Sequence, residues 1–167
     1  MPAHKLFLFG IDSAGKTALV KSIKGEDATQ TKPTLAFHIV KLRKNQVEFQ
    51  IWDAPGQRNL RRIWNNGFNR AKLLVFVVDT SDDERFSESK DEFMKVISEP
   101  DTKELPVIFC YHKMDLAESK ANLDKAKEFF DPKSLEGREV VEMETSIYEQ
   151  ESVDFLVAEI FSWSEKL

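Results

Sequence analysis

The stretch "GIDSAGKTALV", residues 10–20, follows directly on the apolar run "KLFLF", residues 5–9. It satisfies the pattern G-x-x-x-x-G-K-[ST]. An apolar run closed by glycine and followed by helix-forming residues reads as strand, turn, helix. A glycine-rich turn of this kind aims successive backbone N–H groups at one point, and the helix N-terminus adds a favourable field there for phosphate oxygens. Gly10 and Gly15 supply the turn, which makes Asp12, Ser13, Ala14, Gly15, Lys16, Thr17 and Ala18 candidate nucleotide contacts. Lys16 can meet the β- and γ-phosphates as a point charge, and the Thr17 hydroxyl can ligate a Mg²⁺ between them.

Working outward, "FHIVKL", "VEFQIW", "KLLVFVVD", "LPVIFCY" and "REVVEME" join "KLFLF" as short apolar runs bounded by turn residues, six strands in all. The four residues "RKNQ", 43–46, leave no room for a helix, so the second and third strands should form an antiparallel hairpin. Elsewhere strands alternate with helical patterns. Residues 16–24 end at Gly25, residues 81–100 open with a capping box of Ser81 and Glu84, and Phe155, Leu156, Val157, Ile160 and Phe161 form an apolar core stripe on a last helix. This order predicts one α/β domain over residues 1–167. Its six-stranded sheet is mostly parallel with one antiparallel strand, helices cover both faces, and ligands gather at the carboxyl ends of the strands.

Four further stretches sit where such an end would place them. "WDAPGQ", residues 52–57, ends the third strand. Asp53 can hold a magnesium-bound water, the Gly56 amide can touch a γ-phosphate, and Gln57 can orient an attacking water. In "TKPTLAF", residues 31–37, the Thr34 hydroxyl can complete the magnesium shell, so Lys16, Thr34 and Gln57 are the candidate catalytic set and Thr17, Thr34 and Asp53 the metal set. In "YHKMDL", residues 111–116, Asp115 can accept from the N1–H and 2-amino groups of guanine, a donor pair that adenine lacks, while Lys113 lays its stem along the base. In "ETSIYEQ", residues 144–150, Ser146 and Ile147 border the base, the Ile147 amide faces its carbonyl, and Tyr148 covers the other ring face.

Composition narrows the alternatives. With 167 residues, 41% of them hydrophobic, the chain can bury a core without staples, and a net charge of −5 with no long basic block lacks the footprint of a nucleic-acid binder. The single cysteine, Cys110, lies in an apolar run and reads as a buried small hydrophobe in a reducing, cytoplasmic setting. No run matches a membrane span, Pro2 stands where myristoylation needs glycine, and the tail "FSWSEKL" has no cysteine to prenylate. The expectation is therefore no intrinsic membrane anchor, with any membrane contact supplied by a partner.

Taken in order, these elements resemble the Ras superfamily of small GTPases over essentially the whole chain. "GIDSAGKT", "PTLAF" and "WDAPGQ" resemble the Arf branch, whereas "HKMD" and "TSIY", with His112 where Arf proteins carry asparagine, resemble the guanine pocket of Rag-type GTPases. The resemblance implies a magnesium-dependent switch that binds GTP and GDP and hydrolyses GTP. It implies slow turnover without a GTPase-activating protein, and it implies an exchange factor and effectors. A simple order–disorder switch is expected, since Pro55 stiffens a loop that is glycine-rich in Arf proteins. Phe37, Trp52 and Trp64 match aromatic positions of an Arf-like effector surface, with Gly67 in place of a tyrosine, and core packing remains open for them. Whether two G domains pair is also open. The alternative reading is a constitutively GTP-bound interaction module.

Overall fold

The computed structural model describes residues 3–32 and 36–167. Its strands are β1 (Ala3–Phe9), β2 (His38–Lys44), β3 (Val47–Asp53), β4 (Leu73–Asp79), β5 (Val107–His112) and β6 (Val140–Glu144). They form one sheet in the order β2-β3-β1-β4-β5-β6, in which β2 alone runs antiparallel, against β3. The helices are α1 (Lys16–Ile23), α2 (Trp64–Phe68), α3 (Phe86–Ile97), α4 (Ala117–Phe130) and α5 (Gln150–Ser162). The chain leaves β1 toward β3 on one side and reaches β4 on the other, so the carboxyl end of β1 is the point where strand order diverges.

Alternation along each central strand divides the core into two layers. Phe7 and Phe9 of β1, Phe76 of β4 and Phe109 of β5 point to one face, where they meet Trp64, Phe93 and Phe130 from the helices. Leu6, Leu8, Val75, Val77 and Cys110 point to the other, beneath Leu19 and Val20 of α1 and Leu156 and Ile160 of α5. The aromatic layer is dense: the Phe76 ring lies 5.0 Å from Phe9, 4.8 Å from Phe93 and 5.2 Å from Phe109. Each such ring taken out of water contributes about 1.5–3 kcal/mol. Cys110 is fully buried, and burial pushes its thiol up to about 12, which leaves it inert at neutral pH.

Two local expectations change. Ser81 does not close a capping box with Glu84; its N–H and hydroxyl both donate to Asp79 Oδ1, and a 3-10 turn over Asp83–Arg85 precedes α3. The carboxylate at the end of β4 reaches Ser81 first and leaves the helix to start later. On α5, Leu156 and Ile160 are buried, but Phe155 is 58% exposed. One helical step of about 100° carries it off the line that packs on the sheet.

Candidate functional site

Loops at the carboxyl end of the sheet line a cleft of about 450 Å³, together with Ala28, Thr29, Thr31 and Lys32 from the segment between α1 and β2. The β1–α1 loop, the loop after β3 and the loop after β5 contribute Asp12, Ser13, Gly15, Lys16, Thr17, Ala18, Gly56, Gln57 and Lys113, and Ile147 closes one edge. Ala14 packs beneath, 1% exposed. The turn requires Gly15, which caps α1 at φ 94°, where a side chain is strained. Ser13, also at positive φ, points its carbonyl to Lys113. Thr34 lies outside the described residues.

Lys16 is buried and donates to the Ile11 carbonyl at 3.0 Å, inside its own loop. Burial pulls its ammonium down to about 8, against the attraction of Asp53 and Asp12. Thr17 donates from Oγ1 to Asp53 Oδ2 at 2.9 Å. Asp53 is fully buried; burial raises its carboxyl pKa, opposed by Lys16, Thr17 and His38. Its second oxygen, Oδ1, has no hydrogen-bond partner among the described residues. A buried carboxylate oxygen without a donor, next to a hydroxyl, is what a hydrated hard cation would satisfy, so these two oxygen groups fit Mg²⁺.

Gly56 sits against the phosphate loop. A Cβ there would fall 2.6 Å from Lys16 Nζ and 2.7 Å from both Asp12 N and Ile11 C, and two of those neighbours are backbone. No residue with a side chain can approach so closely. Gln57 follows in an extended conformation, φ −63° and ψ 138°, half-buried at the edge of the cleft.

Beside Lys113, side-chain hydrogen bonds tie the loops after β5 and β6 together. Lys113 stands at φ 65° and donates to Ser13 O at 2.8 Å and Asp79 Oδ2 at 2.9 Å, which ties the β5 loop to the phosphate loop. His112 is buried, with Nδ1 2.8 Å from Thr145 Oγ1, and its ring edge occupies the space that a Cβ on Gly15 would need. Burial, aided by Lys113, pushes His112 down to about 4, against Asp79, Asp115 and Thr145, so the ring is neutral at neutral pH. Asp115 Oδ1 accepts from Ser146 Oγ at 2.7 Å, and Ser146 Oγ in turn accepts from Tyr148 N–H. Of the expected base contacts only Lys113 and Ile147 line the cleft; His112, Asp115, Ser146 and Tyr148, the last 68% exposed, are not among the described residues that do.

Sequence reasoning did not find the charged network beside the phosphate loop. Asp12 turns its carboxylate to Arg85, whose Nη2 donates to Oδ1 at 2.8 Å and Nη1 to Oδ2 at 3.2 Å, and to Arg61 Nη2 at 3.1 Å. Glu88 of α3 accepts from both arginines. The hydrogen bonds from Arg85 lead in lowering the Asp12 pKa; for Glu88, burial pushes upward but the two arginines outweigh it. Asp12 and Arg85 are 73 residues apart, and no local pattern announces such a pair. Of the aromatic trio, Trp64 is buried and donates to Pro55 O at 2.7 Å, while Phe37 packs on Trp52 with ring centres 5.3 Å apart.

The family model for Arf, the ADP-ribosylation factor family, matches residues 2–163. The chain belongs to this family. It is 34% identical to ADP-ribosylation factor-like protein 3 of Chlamydomonas reinhardtii over 112 residues, a match that spans 67% of this chain and 63% of that protein. A solved structure of the Arl6 BBS3 small GTPase of Trypanosoma brucei, with bound nucleotide analogue GppNp, aligns with a TM-score of 0.82 at 23% identity, covering 98% of this chain and 96% of that one. At that identity the likeness establishes the Arf-like fold: six strands, five of them parallel and one antiparallel, with the helices around them.

Proposed function

We propose that this Arf-family chain is a magnesium-dependent molecular switch that binds GTP and GDP, hydrolyses GTP and engages effectors in its GTP state. The observation that carries the reading is the joint placement, around one cleft, of a phosphate loop, the Thr17–Asp53 pair with its unpartnered oxygen, and the Gly56 contact with that loop. The relatives, a factor-like protein and a small GTPase with a bound nucleotide analogue, support it.

In this reading the backbone amides of residues 13–18 and the Lys16 ammonium hold the β- and γ-phosphates. Thr17 and Thr34, with Asp53 acting through a water, would hold Mg²⁺, which when bound draws charge off the phosphate oxygens. Gly56 offers its N–H to the γ-phosphate. The Gln57 side-chain carbonyl accepts a hydrogen from the water that attacks the γ-phosphorus in line, and its amide donates to a γ-phosphate oxygen, with GDP and phosphate as products. Asp115 reads guanine, Lys113 and Ile147 flank the base, and Ser146 holds the Asp115 carboxylate. His112 braces the base loop in the manner of the Rag-type pocket that "HKMD" and "TSIY" resemble. Tyr148 would have to swing inward to cover the base.

Turnover is slow alone, because the arginines next to the phosphate loop are engaged with Asp12 and Glu88. A GTPase-activating protein supplies the missing cation and an exchange factor removes GDP. We place the chain in the cytoplasm, brought to membranes by a partner; no helix among the described residues is long and apolar enough to cross one. Gln57→Leu tests the mechanism by separating binding from turnover. GDP and GTP affinities should stay within about twofold, while hydrolysis in single turnover falls on the order of a hundredfold. Equal hydrolysis by both proteins would place water orientation elsewhere, and a wild type that holds GTP without ever cleaving it would favour the constitutively bound module.

A further inference from the structure

Arg61 is the most enclosed member of the charged network, its side chain 5% exposed. It leaves the 3-10 turn over Arg58–Ile63 and makes three bonds at once. Nε donates to the Gly56 carbonyl at 2.8 Å, and Nη2 donates to Asp12 Oδ1 at 3.1 Å and to Glu88 Oε2 at 2.7 Å. One side chain thereby joins the loop after β3, the phosphate loop and α3. Arg85 holds the opposite side of the same carboxylates, so two cations face two anions and the fork is charge-balanced. Arg58 and Glu92 complete the rim at 3.4 Å and 3.5 Å.

The contact with Gly56 bears on chemistry because of peptide geometry. The Gly56 carbonyl, the Gln57 N–H and the Gln57 Cα lie in one plane, so fixing that oxygen fixes where the Gln57 side chain starts. The Gly56 N–H belongs to the preceding plane and is held instead by the close packing of Gly56 on Ile11 and Asp12. The two halves of the loop are thus held by different means. Glycine packing positions the amide that would meet the γ-phosphate, and the Arg61 fork positions the residue that would orient water.

We propose that Arg61, seated by Asp12, Glu88 and Arg85, is a positioning residue for Gln57, and that the network sets hydrolysis rate rather than nucleotide affinity. This rests on the GTPase reading above. Lysine in its place keeps the charge toward Asp12 and Glu88, but it lacks the planar fork that also reaches Gly56 O.

The test compares wild type, Arg61→Lys and Glu88→Gln by single-turnover GTP hydrolysis, affinity for labelled GDP, thermal unfolding with GDP bound, and amide hydrogen exchange of residues 56–63. Arg61→Lys should slow hydrolysis on the order of tenfold. Its GDP affinity should stay within about twofold, its unfolding within a few degrees of wild type, and its exchange should rise over that segment. Glu88→Gln should move the same two readouts by less. Hydrolysis and exchange in Arg61→Lys equal to wild type would overturn the proposal. Parallel loss of affinity, stability and hydrolysis would also overturn it, by making Arg61 a plain structural tie. Wild-type protein that binds no guanine nucleotide would overturn the GTPase reading itself, a result distinct from both.

Discussion

The two ends of the cleft are built in different materials. The phosphate end is mostly backbone: a left-handed Gly15, a glycine at position 56 pressed on the phosphate loop, and a buried lysine turned back on its own loop. The end where the proposed reading places the base is mostly side chains: Lys113 bonded to Ser13 and Asp79, His112 to Thr145, and Asp115 to Ser146. Backbone geometry tolerates almost no substitution, because the atoms that would clash cannot move aside. A side-chain network tolerates exchange at one position when a neighbour changes with it, and in the proposed reading His112 makes such an exchange for the asparagine of Arf proteins. In the proposed reading, binding a shared phosphate and choosing a particular base are therefore separable properties of the same cleft.

The largest break expected is Gly56→Ala. Its methyl group would meet backbone at 2.7 Å, so the loop after β3 must lift from the phosphate loop. GTP hydrolysis should fall by about a hundredfold or more, and preference for a non-hydrolysable GTP analogue over GDP should vanish, because the γ-phosphate contact is lost with it. Single-turnover hydrolysis and paired binding titrations check both.

Asp115→Asn acts only at the other end. Exchanging an acceptor for a donor should cost GTP binding about 2–4 kcal/mol and improve binding of xanthine nucleotide, with the phosphate contacts intact. Competition titrations measure it; unchanged GTP affinity would remove Asp115 from the base site.

A smaller effect concerns pH. His112 is neutral in the folded protein down to about 4, whereas in the unfolded chain it titrates near 6.5. Between those values the unfolded state takes up a proton that the folded state refuses, so stability falls as pH falls from 6.5 to about 4, by at most about 3 kcal/mol. His112→Asn should remove that part of the pH dependence. Denaturant unfolding of both proteins at pH 7 and pH 5 reads the difference, and parallel slopes would contradict it. Smallest of all is Tyr148→Ala. With the ring 68% exposed, stability should change by less than about 0.5 kcal/mol. A large loss of GDP affinity would show that Tyr148 does close over the base.

The same division explains what could be read from residues alone. The phosphate loop and the strand–helix alternation are legible because glycine, apolar period and turn chemistry act within a few positions. All six strands lie within two residues of the expected runs. Helix α2 escaped because it has only five residues and follows a 3-10 turn, so it shows no usable period. Gly67 is readable only after folding: a Cβ there would sit 2.5 Å from the rings of Phe37 and Phe7, so the position where a tyrosine was expected is closed by aromatic packing. The Asp12, Arg61, Arg85 and Glu88 network joins three segments through ion pairs, and ion pairs between distant segments leave no local trace.

In the proposed reading one cleft combines general phosphate binding with specific reading of guanine. Equilibrium displacement of a fluorescent GDP analogue from the wild-type chain, in Mg²⁺ buffer, by GTP, GDP, ATP and ADP in parallel tests it most directly. GTP and GDP should compete at least a hundredfold more strongly than ATP and ADP, since adenine offers Asp115 no donor pair and leaves its carboxylate unsatisfied. Equal displacement by adenine nucleotides would contradict the claim and leave a phosphate loop that does not choose its base.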